Sequence, residues 1–382
     1  MSYDVSPYRF LMQQVLSAAQ FFDGFVWQSN VELLIENGRI ADIRPCRDTP
    51  QATYLVPGFI DLQVNGGGGV LFNNAPTIDT LRRMRQAHSR FGTTALLPTL
   101  ITDQLAVMQQ SADVIATAVA AGEPGILGIH FEGPHLSAPK KGVHPLQHIR
   151  PLAEAEMQLY LRRDLGCVLV TLAPENVTPE QVQRLTAAGV KVWLGHSNAC
   201  AAQVQQALAA GAQGFTHLYN AMSPLTSREP GMVGVALTDS QSWCGVILDG
   251  LHLHPLAAKL AVLAKPRGKV LLVTDAMSPV GTDETEFDFF AGKVIRQGNK
   301  LTDSSGALAG SVLDMAAAVR YAVNTLQLDL AESLRMAALY PAQALGLTDR
   351  GQAQPGHRAD LVQLNAQLQV QQCWINGEAQ LG

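Results

Sequence analysis

At 382 residues, with 47% hydrophobic and 15% charged residues, 33 Gly and 20 Pro, the chain can bury a large core and turn tightly many times, which excludes a disordered protein. A formal net charge of −5 leaves no basic footprint, so nucleic acid and anionic membranes are excluded as partners, while a small anionic substrate held by a few local cations is not. The five cysteines form no CxxC pair, Met1–Gly24 has no basic segment followed by an unbroken apolar run, and no apolar run approaches the ~20 residues of a membrane span; the expectation is a soluble, cytoplasmic protein with reduced thiols.

In chain order, residues 1–12 fit no pattern and read as a loose extension. Val31–Ile43 (VELLIENGRIADI) alternates apolar and polar residues around Asn37-Gly38, a hairpin signal. From Gly58 a rhythm sets in of short apolar runs, each ending in a polar residue: Gly58–Gln63, Thr93–Leu100, Gly125–Glu132, Cys167–Glu175, Val190–His196, Gly214–Asn220, Cys244–Gly250 and Val270–Ala276. Helical patterns separate them, clearest at Thr80–Arg90, Pro179–Ala188 and Ala201–Ala210. Gly66–Gly69 follows the first run but lacks the Lys-Ser/Thr of a nucleotide loop, so it reads as a place where backbones approach closely. Ala359–Gly377 is again strand-like.

Strands alternating with helices predict a parallel sheet. Eight repeats with chemically active residues after at least five strands favour a closed (β/α)8 TIM-type barrel over an open doubly wound sheet, which concentrates its chemistry at one switch point. The expected organisation is a catalytic barrel over residues 57–355 and a small β-sandwich domain built from 1–56 and 356–382.

Glu132, His196 and His217 end the third, fifth and sixth runs. One carboxylate and two imidazoles suit a borderline cation such as Zn2+ with a position left for water, and a barrel mouth is where such distant residues can meet. Either histidine alone reads more readily as a core or loop residue. A buried Glu132 needs a cation or hydrogen bonds in any case. Asp275 ends the last run (VLLVTDAM) and reads as a helix cap in isolation; beside a metal it is the natural proton shuttle between attacking water and leaving amine. His144, in KKGVHP, reads either as a carbonyl-polarising donor or as a surface loop histidine. Arg228 offers a fork for phosphate or is an ordinary exposed arginine. Asn220 and His252 sit just past strand ends. The cysteines near the barrel, Cys200 and Cys244, have no adjacent base, which argues against a thiol nucleophile.

The blocks PGFIDLQVNG, ILGIHFEGPHL, KKGVHP, GHSNA, THLYNAMSP, REPG, DGLH, VTDAMSP and LAGS resemble, from about Asn37 onward, the amidohydrolase superfamily and, within it, the N-acetylglucosamine-6-phosphate deacetylase family. The resemblance implies hydrolysis of the acetamide of that phosphorylated sugar in amino-sugar catabolism and cell-wall sugar recycling, with one divalent metal per subunit (Zn2+ first, Fe2+ or Co2+ as alternatives). It implies Glu132, His196 and His217 as metal ligands, Asp275 as acid/base and His144 as the residue polarising the acetyl carbonyl. Val143, Asn220, Ala221, Arg228, Asp249, His252, Leu308, Ala309 and Gly310 match substrate-binding positions. It also implies a homodimer in which Arg228 reaches the neighbouring subunit's phosphate.

Many superfamily members carry His-x-His at the end of strand 1. Here the positions are Gln63 and Asn65, neutral and weaker ligands, so they read as the remnant of a second metal site and point to the mononuclear branch. Ala309 stands where relatives often have Ser. The same chemistry on the galacto epimer is the alternative substrate reading. A two-metal cyclic-amide hydrolase is disfavoured, because no Lys ends the fourth run. A non-catalytic barrel is disfavoured by the intact set of Glu132, His196, His217 and Asp275.

Overall fold

In the computed structural model, which describes residues 13–290 and 292–380, the eight apolar runs form eight parallel strands. They are β1 Phe59–Val64, β2 Thr93–Ile101, β3 Gly128–Glu132, β4 Cys167–Leu172, β5 Lys191–Leu194, β6 Gly214–Phe215, β7 Trp243–Val246 and β8 Val270–Leu272. Each pairs in parallel with the next. The circle then closes: Val64 and Ala276 form a parallel bridge, and the Asp275 N–H donates to the Gln63 carbonyl at 2.9 Å. Every residue of β1 and β2 is buried, because helices cover the outside of a barrel strand while neighbouring strands fill the inside. The expected barrel is therefore the one observed.

The intervening helices start where side-chain oxygens can satisfy free N–H groups. Helix Pro179–Ala187 has Pro at its first position and a reciprocal cap: Thr178 Oγ1 accepts the Gln181 N–H at 3.3 Å and the Gln181 side chain accepts the Thr178 N–H at 3.0 Å. Helix Ile78–Ser89 begins two residues before the expected start, capped by Thr77. Among the described residues no helix is long and apolar enough to cross a membrane.

The two chain ends share one seven-stranded sheet. Strands Gln13–Phe22, Trp27–Glu36, Arg39–Pro45 and Ala52–Pro57 pair with Leu361–Leu364, Val370–Ile375 and Glu378–Ala379. The Asn37-Gly38 turn has both residues at positive φ, as a two-residue hairpin requires. Side chains alternate between two cores. Phe21, Leu55, Leu361 and Trp374 pack within the small sheet's own cluster, while their neighbours Phe22, Val56, Val362 and Cys373 pack on the barrel. The sheet folds back on itself, with Ile40 N–H bonded to the His357 carbonyl and Ala359 N–H to that of Gly38, each at 2.9 Å. Residues 1–12, read as an extension, lie outside the described residues.

A three-stranded antiparallel sheet, Glu286–Phe289, Gly292–Gln297 and Lys300–Thr302, was not expected. Its apolar side (Phe287, Phe289, Val294, Leu301) packs with Ile101 at the end of β2 and Met277 beyond β8, which sets it over the barrel mouth. Its strands are too short to stand out from a loop in sequence.

Asp61 lies at the β1–β8 seam. Its Oδ2 accepts the Thr274 hydroxyl at 2.5 Å, and its Oδ1 accepts the N–H groups of Gln63 at 3.2 Å and Thr274 at 3.3 Å. Burial outweighs these bonds and pushes the carboxyl from 3.8 up to about 7. A raised folded-state pKa means that stability is fully present below about 4 and is lost as pH climbs through about 7. Asp61→Asn removes that ionisation. The difference in melting temperature, variant minus parent, should therefore become more positive between pH 4.5 and pH 8; a difference that does not change with pH would contradict the assignment.

Candidate active site

Strands β3, β5, β6 and β8 deliver Glu132, His196, His217 and Asp275 to one cavity of about 190 Å³ at their C-terminal ends. Glu132 is the last residue of its strand, whereas His196, His217 and Asp275 follow theirs by two or three residues. These last three have φ of 46°, 35° and 53°. Left-handed backbone costs a non-glycine residue about 1 kcal/mol or more, and here it turns the side chains inward at the barrel rim. No sequence pattern announced it.

Glu132, His196 and His217 are all buried, and their ligand atoms lie within 4.8 Å of one another. His217 Nε2 is 3.0 Å and His196 Nε2 3.3 Å from Glu132 Oε1, and the two Nε2 atoms are 2.9 Å apart. A tetrahedral ion with bonds of about 2.0–2.1 Å has donor–donor edges near 3.3 Å, so the spacing fits one small divalent cation. The tautomer fits too. His196 Nδ1–H donates to the Lys140 carbonyl at 2.8 Å, which leaves Nε2 with its lone pair facing the other donors. Burial would push the Glu132 carboxyl up, but the adjoining His196 and His217 rings prevail and hold it well below the usual carboxylate range.

Gln63 and Asn65 occupy the place of the absent His-x-His. Gln63 Nε2 donates to Glu132 Oε1 at 3.0 Å and to Asp275 Oδ1 at 3.2 Å, and Asn65 Nδ2 donates to the same Asp275 oxygen at 2.6 Å. The Gln63 amide thus ties the cluster's carboxylate to Asp275, and the Asn65 amide gives Asp275 a second donor. Burial and then the Glu132 charge raise the Asp275 carboxyl above its ordinary value, which suits a group that must both take and release a proton. Burial, followed by the neighbouring His196, holds the His144 imidazole well below the usual histidine range, so it stands neutral beside the cluster, its ring 4.4 Å from that of His196.

Of the residues singled out in sequence, Asn65, Glu132, Val143, His144, His196, His217, Asn220, Ala221, His252, Asp275, Leu308 and Gly310 line the cavity. Four do not. Gln63 stands behind it. Asp249 supports His252, accepting its Nδ1–H at 2.6 Å and its backbone N–H at 2.8 Å. Ala309 is buried against the three-stranded sheet, and Arg228 is exposed on the loop after β6. Ile101, Gly142, Ile247, Met277 and Phe289 complete the wall and were not singled out in sequence. Phe289 comes from the three-stranded sheet, and its only sequence signal was the apolar-polar alternation of Glu286–Phe289.

Comparison with known proteins agrees with this geometry. Over 324 residues the chain is 57% identical to an N-acetylgalactosamine-6-phosphate deacetylase of Shewanella sp. (strain ANA-3), covering 85% of this chain and 82% of that one. It is 38% identical over 379 residues to an N-acetylgalactosamine-6-phosphate deacetylase of Escherichia coli O157:H7, covering 96% and 99%. The crystal structure of N-acetylglucosamine-6-phosphate deacetylase from Pasteurella multocida superposes with a TM-score of 0.91 at 34% identity, covering 97% of this chain and 100% of that one. Residues 54–379 match the model of the amidohydrolase family, a span that takes in all eight barrel strands and every residue of the cavity. With the barrel, the buried donor cluster and the match across most of its length in agreement, the chain belongs to the amidohydrolase family.

Proposed function

We propose that the protein hydrolyses the acetamide of an N-acetylhexosamine 6-phosphate, releasing acetate and the free amino sugar phosphate, within amino-sugar catabolism and cell-wall sugar recycling in the cytosol. Residues 57–355 form the catalytic unit and the two chain ends the accessory β domain. The observation that carries the reading is the buried Glu132–His196–His217 cluster with Asp275 tied to it in one cavity. These three residues would hold a single divalent cation, Zn2+ in first place with Fe2+ and Co2+ accepted by the same donors, which would supply Lewis-acid activation of water and of the carbonyl.

The chain's own groups do the rest. Asp275 takes the proton of the attacking water and hands it to the amine nitrogen, without which the amine is a poor leaving group. Neutral His144 donates to the acetyl oxygen as negative charge builds there. Asn220 and His252, the latter oriented by Asp249, bind the sugar and its phosphate. Asp275→Asn should lower kcat by roughly 10²–10⁴-fold, in line with the loss of a general acid/base, while bound metal stays unchanged. Retained turnover removes Asp275 from the mechanism.

N-acetylglucosamine 6-phosphate is the substrate that the sequence motifs support. The galacto epimer is favoured by a specific observation: the 57% and 38% identical relatives are both N-acetylgalactosamine-6-phosphate deacetylases. Acetate release measured on both epimers decides, since the two differ only at C4. We expect activity on each, with kcat/KM for the galacto epimer at least equal to that for the gluco. No acetate from either would sink the whole reading.

Among the described residues no Lys or Arg lines the cavity, although the substrate carries a phosphate. That supports a homodimer in which exposed Arg228 completes the neighbouring subunit's site. Arg228→Ala should raise KM for the phosphorylated sugar by about tenfold or more, the worth of a charge-assisted bond, with kcat nearly intact. An unaltered KM would remove Arg228 from substrate binding.

A further inference from the structure

Thr102, the first residue beyond β2, is buried and makes two contacts with a single atom of His144. Its hydroxyl lies 2.9 Å from His144 Nδ1, and its backbone N–H donates to the same nitrogen at 3.4 Å. A hydroxyl can give or take a proton, so the first contact alone says nothing about the imidazole. An amide N–H can only donate. Nδ1 must therefore present its lone pair, and the ring proton is left to Nε2.

The surroundings keep this arrangement in place. A Cβ on Gly133, directly after Glu132, would come within 2.2 Å of Thr102 Oγ1, so the backbone beyond β3 leaves room for the hydroxyl only because a glycine stands there. His144 itself is buried and lines the cavity, and its Nε2 has no hydrogen-bond partner among the described residues.

We propose that Thr102 is a positioning residue for His144, holding the imidazole as the neutral tautomer with its proton on Nε2, where it donates to the substrate carbonyl. The inference rests on the deacetylase reading for the identity of that carbonyl, but the tautomer itself does not. Thr102 lies at a strand's C-terminal end like the other active residues, and its role is to prevent the ring from offering the carbonyl a lone pair in place of a proton.

Two measurements on the metal-loaded protein test it. With N-acetylglucosamine 6-phosphate and its galacto epimer, Thr102→Val should lower kcat by about tenfold, the scale of one lost hydrogen bond, with KM within about twofold, and Thr102→Ser should restore most of the rate. A long-range proton–nitrogen correlation spectrum, with His144 assigned by its loss in His144→Asn, should show the proton on Nε2 in the parent and still on Nε2 in Thr102→Val, which keeps the backbone N–H facing Nδ1 and loses only the hydroxyl that holds the ring in place. A parent spectrum with the proton on Nδ1, a Val variant as fast as the parent, or a Ser variant as slow as Val overturns the inference. Absence of acetate release by the parent instead strikes at the deacetylase reading, and the nitrogen spectrum still decides the tautomer.

Discussion

A carboxylate and two imidazole nitrogens, all buried and none more than 3.3 Å from the others, are held together at the barrel mouth. Taking such groups out of water costs several kcal/mol unless charge and lone pairs find partners, and a divalent cation satisfies all three at once. Much else in the structure serves that arrangement. The left-handed turns at His196, His217 and Asp275 aim side chains inward, and the Lys140 carbonyl fixes the His196 tautomer. Gln63 and Asn65 bring amide donors against Glu132 and Asp275.

The barrel makes this convergence possible. Glu132 and Asp275 stand 143 positions apart in the chain, yet Gln63 Nε2 reaches both because β1 lies between β8 and β2 at the closing seam. The seam is itself polar: Asp61 and Thr274 meet there, two positions before Gln63 and one before Asp275. The three-stranded sheet contributes Phe289 to the cavity wall, packed with Ile101 and Met277.

Much of this was legible in the chain because barrel strands write themselves as short apolar runs, and because the polar residues of the cavity fall where those runs stop. Glu132, His196, His217 and Asp275 were singled out that way, and all four line the one cavity. Thr102 obeys the same rule, but a threonine has no distinctive chemistry until its partner is known, so it passed unnoticed. Asp249, read as a substrate position, is not among the cavity-lining residues and bonds His252, since a sequence separation of three does not say which of two polar residues faces the cavity. The three-stranded sheet was missed because strands of three to six residues alternate too briefly to be told from a loop. The positive φ values belong to tertiary packing and leave no mark on composition.

The account stands on a single cation shared by Glu132, His196 and His217. The direct measurement is a metal titration of protein stripped by a chelator, followed by separation of free ion and elemental analysis. The account predicts that tight binding saturates at one divalent ion per chain. Saturation at two ions, or no tight binding at all, would contradict it.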